Sequence, residues 1–179
     1  MTEREVNEAK LFELQQNMIT AIPLTEIHRF LFEGIYPHAG QLRTSTIWKG
    51  IMFYEHDDLG IKLMKHLHSM TNRIDMSVHT ENFIKYLAED YAYLNFLHPF
   101  YEGNGRTQRE FLREVLMKYN LIFDLNKTSY SDMKQASIDG CRHRYAMFEN
   151  IFKNCIEENK DPIGYYRSLP YIAILSHDD

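Results

Sequence analysis

Two amphipathic helical stripes joined by a short glycine-bearing turn limit the fold of this chain more than any other feature. From about residue 81 to 97, Phe83, Ile84, Leu87, Tyr91, Leu94 and Leu97 recur at helical spacing. From about 105 to 119, Phe111, Leu112, Val115, Leu116 and Tyr119 do the same. Between them run His98-Pro99 and Glu102-Gly103-Asn104-Gly105. The residue before a proline resists the helical region, so the first helix ends at His98. Stripes of this length must be covered, and packing helix on helix is the simplest way to cover them.

The rest of the chain supplies the partners. Residues 24–33 carry Leu24, Ile27, Phe30 and Leu31 on one face before Gly34 and Pro37 break the pattern. Residues 58–70 carry Leu59, Leu63, Leu67 and Met70. Thr80 is the candidate N-cap of the helix at 81–97. Further helices are expected at 131–139 and 141–158, split by Gly140, with Asp161-Pro162 as another start. Residues 3–19 are charged and helix-prone. One segment departs from this pattern: Thr46-Ile47-Trp48-Lys49-Gly50-Ile51-Met52-Phe53 is β-branched and aromatic around Lys-Gly, which predicts a short hairpin. With no repeat, low-complexity tract or linker, the expectation is an all-α single domain over 1–179 with a small β-hairpin. Its core lies at about 24–119, with C-terminal helices over 131–168.

Apolar residues make up 44% of the 179, enough for a packed core rather than a disordered chain. The formal net charge of -5 excludes a generic nucleic-acid binder, which needs a basic footprint. Cys141 and Cys155 fall on what reads as one helical stretch, too far apart along it to bridge, so reduced thiols are expected. The charged Met1-Thr2-Glu3-Arg4-Glu5 is followed by no signal-peptide core. No stretch approaches the roughly 20 apolar residues of a membrane span. A cytoplasmic protein without membrane contact is the expectation.

The chemistry is concentrated at 98–109. Two glycines permit a tight turn whose N–H groups converge on an anion, and the helix that starts there adds its own free N–H groups and dipole. Arg106 and Arg109, three residues apart, can share one side of that helix. Two guanidinium forks beside such a nest suit a polyphosphate. Glu102 can hold a magnesium ion that phosphates also ligate, and His98 can serve as a base. Taken singly, each part has a bland reading: a Gly-Asn-Gly turn is usually only a turn, and early arginines are usually a solvated face. Cations there also oppose the helix dipole, an opposition that a bound anion relieves. Base, carboxylate, nest and arginines within one short string point to a phosphate-binding helical domain with enzymatic chemistry.

The string from His98 to Arg109 resembles the Fic (filamentation induced by cAMP) motif, His-x-Phe-x-Asp/Glu-Gly-Asn-Gly-Arg-x-x-Arg, at every specified position. Upstream, Ile27-His28-Arg29-Phe30-Leu31-Phe32, Tyr36 and Ala39-Gly40-Gln41-Leu42-Arg43 are similar to that family's helix and its approach to a flap, and 46–53 is similar to the flap. The resemblance covers about 24–119. It implies a Fic-fold helical bundle and a protein adenylyltransferase, an ATP-binding nucleotidyltransferase that carries out AMPylation of a Ser, Thr or Tyr hydroxyl on a target protein. It further implies that His98 takes the hydroxyl proton and that Phe100 packs in the core. Glu102 binds Mg2+, Gly103, Asn104 and Gly105 form the anion hole with the Asn104 side chain near the α-phosphate, and Arg106 and Arg109 hold the outer phosphates. Ile47, Trp48, Lys49, Gly50 and Ile51 would form the target-docking flap. The fold also hosts phosphotransfer, phosphocholine transfer, de-AMPylation and inactive nucleotide-binding modules. Relatives that phosphorylate depart from this string, so the string favours AMP transfer.

Other features have structural readings. His66 and His68, two apart on a helix, face away from each other and make a poor metal pair. Trp48 packs either on the core or in the flap. Tyr91, Tyr93 and Phe96 read as core; Tyr165-Tyr166 reads as packing, with base stacking as the alternative. Many Fic proteins carry an inhibitory helix with the pattern Ser/Thr-x-x-x-Glu-Gly/Asn. The nearest strings here, ending in Glu149-Asn150 and Glu158-Asn159, lack the leading hydroxyl and sit beside Phe148 and Cys155 on an apolar stripe. The expectation is restraint by a small antitoxin partner in trans, as in the family's toxin–antitoxin members.

Overall fold

The computed structural model describes residues 23–160. The expectations for 3–19, Asp161-Pro162 and Tyr165-Tyr166 lie outside the described residues. Six helices and one two-stranded antiparallel sheet make up the described fold. Helix α1 (Leu24–Phe32) starts at Pro23, whose carbonyl accepts from the N–H groups of Glu26 at 2.9 Å and Ile27 at 3.2 Å. Helix α2 (Leu59–Ser77) runs on past the expected end at 70. Thr71-Asn72-Arg73 mask the continuation in the sequence, but Met70 and Ile74 carry the stripe onward and both are buried.

Helix α3 (Phe83–Leu97) is the central element and packs against its neighbours on several sides. Thr80 is not its cap. The Thr80 hydroxyl donates to the Ser77 carbonyl at 2.8 Å, closing the turn that follows α2. Phe83, Leu87, Tyr91, Leu94 and Leu97 are buried, as the stripe requires. Arg73 crosses from α2 to pair with Glu89 and Asp90 and lies 4.3 Å over the Tyr86 ring. Helix α4 (Asn104–Met117) is buried on nearly every face despite its charge. Within it Arg113 lies between Glu110, at 2.6 Å, and Glu114.

The sheet lies where the sequence predicts helix ends. Strands β1 (Leu121–Phe123) and β2 (Ile156–Glu158) pair in the register Leu121↔Glu158, Ile122↔Glu157, Phe123↔Ile156. Asp124 N–H donates to the Cys155 carbonyl at 2.8 Å and Asn159 N–H to the Asn120 carbonyl at 2.9 Å, closing both ends. Between the strands stand α5 (Tyr130–Gly140) and α6 (Ala146–Cys155). Ser129 caps α5, its hydroxyl accepting from Asp132 N–H at 3.1 Å. Gly140 is the last residue of α5, and close packing requires a glycine there: a Cβ would lie 2.9 Å from Ala92 and 3.0 Å from Phe148. The expected helix 141–158 is therefore a turn, then α6, then β2, and Cys141 and Cys155 sit on different elements as free thiols.

The hairpin expected at 46–53 reduces to one bridge, Trp48 opposite Met52, around Gly50 at φ +72. Phe53 N–H donates to the Ile47 carbonyl at 3.3 Å and Lys49 N–H to Ile51 at 3.1 Å. An isolated two-stranded ribbon is marginal without a third strand or a packed face, which explains so short a ladder. No described helix is long and apolar enough to cross a membrane.

Candidate functional site

The turn between α3 and α4 is held from three directions. His98 adopts φ 43, ψ 63, a left-handed conformation that costs an ordinary residue about 1–2 kcal/mol and persists only where surroundings enforce it. Part of that enforcement is Arg43, buried at 2% exposure. Its guanidinium donates to the carbonyls of His98 at 2.8 Å, Leu97 at 3.2 Å, Ser45 at 2.7 Å and Tyr54. One side chain thus ties both ends of the flap to the end of α3, and Tyr54 N–H adds a bond to the Phe96 carbonyl at 3.1 Å.

His28 is the second tie. Its Nδ1 accepts from Gly40 N–H at 2.8 Å, so the ring proton sits on Nε2, which donates to the Glu102 carbonyl at 3.0 Å. The ring stacks on Phe100 with centroids 3.8 Å apart. Burial pushes the His28 pKa down to about 4. The third tie is Asn104, whose amide accepts from Phe100 N–H at 2.9 Å and donates to the Phe100 carbonyl at 2.7 Å. These two bonds use one of the two amide N–H donors of Asn104 and fix the plane of the side chain. Gly103 holds φ +76 directly beneath the Phe32 ring, and the first-turn N–H groups of α4 have no intrahelical acceptor.

These ties present a cavity of about 180 Å³. Lys49, His98, Gly105 and Arg109 line it. Tyr130, Met133, Lys134, Ser137 and Ile138 of α5 line it too, with Ile51 and Phe53 from the flap. The His98 ring stacks on Phe53 at 3.8 Å. Burial, with Lys49 and then Arg43 acting in the same sense against the Asn95 carbonyl, lowers its pKa to about 3. His98 is therefore neutral near pH 7, the form that can accept a proton. Arg109 is buried at the cavity, whereas Arg106 lies outside its lining with its guanidinium 4.7 Å over the Phe32 ring. The Glu102 carboxylate is half-exposed and meets Lys49 Nζ at 3.2 Å.

Trp48 stands 71% exposed on the flap, which settles its two readings. Phe100 is fully buried, as expected. His66 Nε2 donates to the Asp90 carbonyl, 2.8 Å away, whereas His68 meets the Asn72 amide. Among the described residues no group of three or more His, Cys, Asp and Glu side chains could hold a metal by itself. Sequence reasoning passed over three contributors: Arg43 and His28, quoted only within a resembling string, and the α5 lining, whose amphipathic pattern marks a core face but not a cavity.

Residues 18–116, more than half of the chain, match the model of the Fic/DOC family. The chain is 28% identical over 149 residues to "Probable protein adenylyltransferase Fic" of Salmonella typhimurium, covering 80% of this chain and 74% of that protein. It is 27% identical over 146 residues to the protein of the same description from Escherichia coli, covering 79% and 72%. Its fold is similar to the N-terminal Fic domain of a VirB-translocated Bep effector protein from Bartonella quintana with bound ADP. The TM-score is 0.75 at 19% identity, over 87% of this chain and 83% of that one.

Proposed function

Because the chain belongs to the Fic/DOC family, we propose that it is a protein adenylyltransferase that moves AMP from ATP to a hydroxyl side chain of a target protein. The observation that carries this reading is a neutral, half-buried His98 lining the same cavity as Arg109 and Gly105 of the first turn of α4. In the reaction the target oxygen bonds to the α-phosphorus, the α–β anhydride bond breaks, pyrophosphate leaves and His98 takes the hydroxyl proton. Backbone N–H groups at Gly103, Asn104 and Gly105 meet the charge that develops at the phosphoryl oxygens. Arg109 and Arg106 hold the outer phosphates, Arg106 by leaving its place over Phe32. Met133 and Ile138 of α5 take the base.

Magnesium fits the donor set. The ion keeps several waters and takes one or two carboxylates plus phosphate oxygens, so the single carboxylate of Glu102, already facing a cation at 3.2 Å, suffices. When bound, it neutralises phosphate charge. Replacing Glu102 by Ala is expected to leave weak transfer that no longer responds to magnesium. The flap receives the target by main-chain pairing along its open edge, with Trp48 beside the entering segment. The whole chain acts as one domain in the cytoplasm. Restraint comes from an antitoxin-type partner whose carboxylate competes for Arg109. Glu149 lies on α6 next to buried Phe148, and Glu158 is exposed on strand β2 rather than on a helix. Incubation with α-labelled and γ-labelled ATP in separate reactions tests the proposal. Label carried to protein only from the α position is the expected result; label from the γ position would mean phosphotransfer.

A further inference from the structure

The Lys49–Glu102 pair joins two parts that otherwise touch the site from opposite sides: the flap and the carboxylate assigned to magnesium. The Trp48–Met52 bridge and the backbone bonds of Lys49 and Phe53 N–H hold the segment only to itself, so the side-chain pair is its one ion pair with the motif turn among the described residues. Both partners are roughly half-exposed, at 41% and 49% for the side chains, so a competing cation can reach the carboxylate. Lys49 also lines the cavity beside His98 and Arg109. An ammonium and a hydrated divalent cation cannot both sit on one carboxylate edge.

We propose that Lys49 is a positioning residue that exchanges partners. In the empty site it neutralises Glu102 and holds the flap against the turn; metal-bound nucleotide takes Glu102 and releases Lys49 and the flap, so that the flap becomes free to pair with a target only once the donor is loaded. This rests on the adenylyl-transfer reading for the identity of the nucleotide. The released ammonium stays at the cavity and adds a cationic donor beside Arg109. An exposed ion pair is weak, so its removal is expected to change magnesium demand by only about two- to fivefold. That is the range in which a physiological metal can displace it.

Trp48, next to Lys49 and the only tryptophan of the chain, reports on the flap without a label. Without ligand, Lys49→Met and Glu102→Gln are each expected to lower the Trp48 emission anisotropy, and the double variant to lower it no further than either single change. With ATP in EDTA the wild-type anisotropy stays high; with ATP and Mg2+ it falls to the level of Lys49→Met, which itself does not respond. By calorimetry, the Mg2+ midpoint at saturating ATP falls about two- to fivefold in Lys49→Met, as loss of an exposed competitor requires. Additive effects in the double variant, or an equal fall with metal-free ATP, would overturn the exchange while leaving adenylyl transfer intact. Absence of ATP binding in every arm would sink the adenylyl-transfer reading and the exchange with it, while the ligand-free comparison still reports the pair.

Discussion

The motif turn and the flap each place one glycine at nearly the same left-handed φ, Gly103 at +76 and Gly50 at +72. Their surroundings differ completely. Gly103 lies beneath the Phe32 ring, and the turn around it is fixed by His28, Arg43 and Asn104. Around Gly50 nothing comes within 4 Å of where a Cβ would lie. The same left-handed φ is thus over-determined in one place and open in the other. The rigid copy stands where donors must be aligned before reaction. The open copy stands where a partner of unknown shape must be accommodated.

Four substitutions sharpen or break this contrast. His98→Ala is expected to lower transfer by about 10²- to 10⁴-fold, the usual worth of a general base. ATP affinity by calorimetry should hold, and an equal loss in binding would remove His98 from proton transfer. Gly103→Ala combines left-handed strain with overlap on Phe32 and should cost about 3 kcal/mol in urea unfolding. A cost under about 1 kcal/mol, that of strain alone, would mean the turn yields as freely as the flap.

The third concerns pH. His28 has a folded pKa of about 4 against its ordinary 6.5, so the unfolded chain binds the extra proton between those values. Its contribution is full above 6.5 and is lost as pH falls, by about 2 kcal/mol at pH 5. His98 and His66, lowered by burial, act in the same sense, and Asp90 and Glu114, raised by burial to about 6 and about 7, act in the opposite one, so the wild-type slope alone mixes them all. Unfolding free energies at pH 7 and 5 should therefore be compared with His28→Gln, whose acid loss is smaller by that amount. Equal losses in the two proteins would show that His28 titrates normally. Gly50→Ala has the smallest effect: about 1 kcal/mol of strain without any clash. A loss as large as that of Gly103→Ala would show that the flap is packed after all.

The same contrast explains what the sequence made legible. Residue types at 98–109 are dictated by anion chemistry over a short span, so the string announced its site. The stripes at 24–33, 81–97 and 105–119 announced their helices because each buries one repeating face. Arg43 gave no such signal: its role exists only across a separation of 55 residues to the His98 carbonyl. The β1–β2 ladder was hidden because three residues are too few to display alternation, and each strand adjoins a strong helical stripe. The flap misled in the other direction. Its composition favours strand, but composition cannot supply the third strand that a stable ribbon needs.

Because Phe123 pairs with Ile156, residues 124–155 leave and rejoin the molecule at a single point. A segment whose ends meet can be exchanged as a cassette, since both crossover points are neighbours in space and the loop is already closed. This segment carries Met133, Ser137 and Ile138 of the cavity lining and none of His98, Glu102, Arg106 or Arg109. Recombination between relatives at 123 and 156 would therefore exchange these lining residues and keep the sequence of the turn.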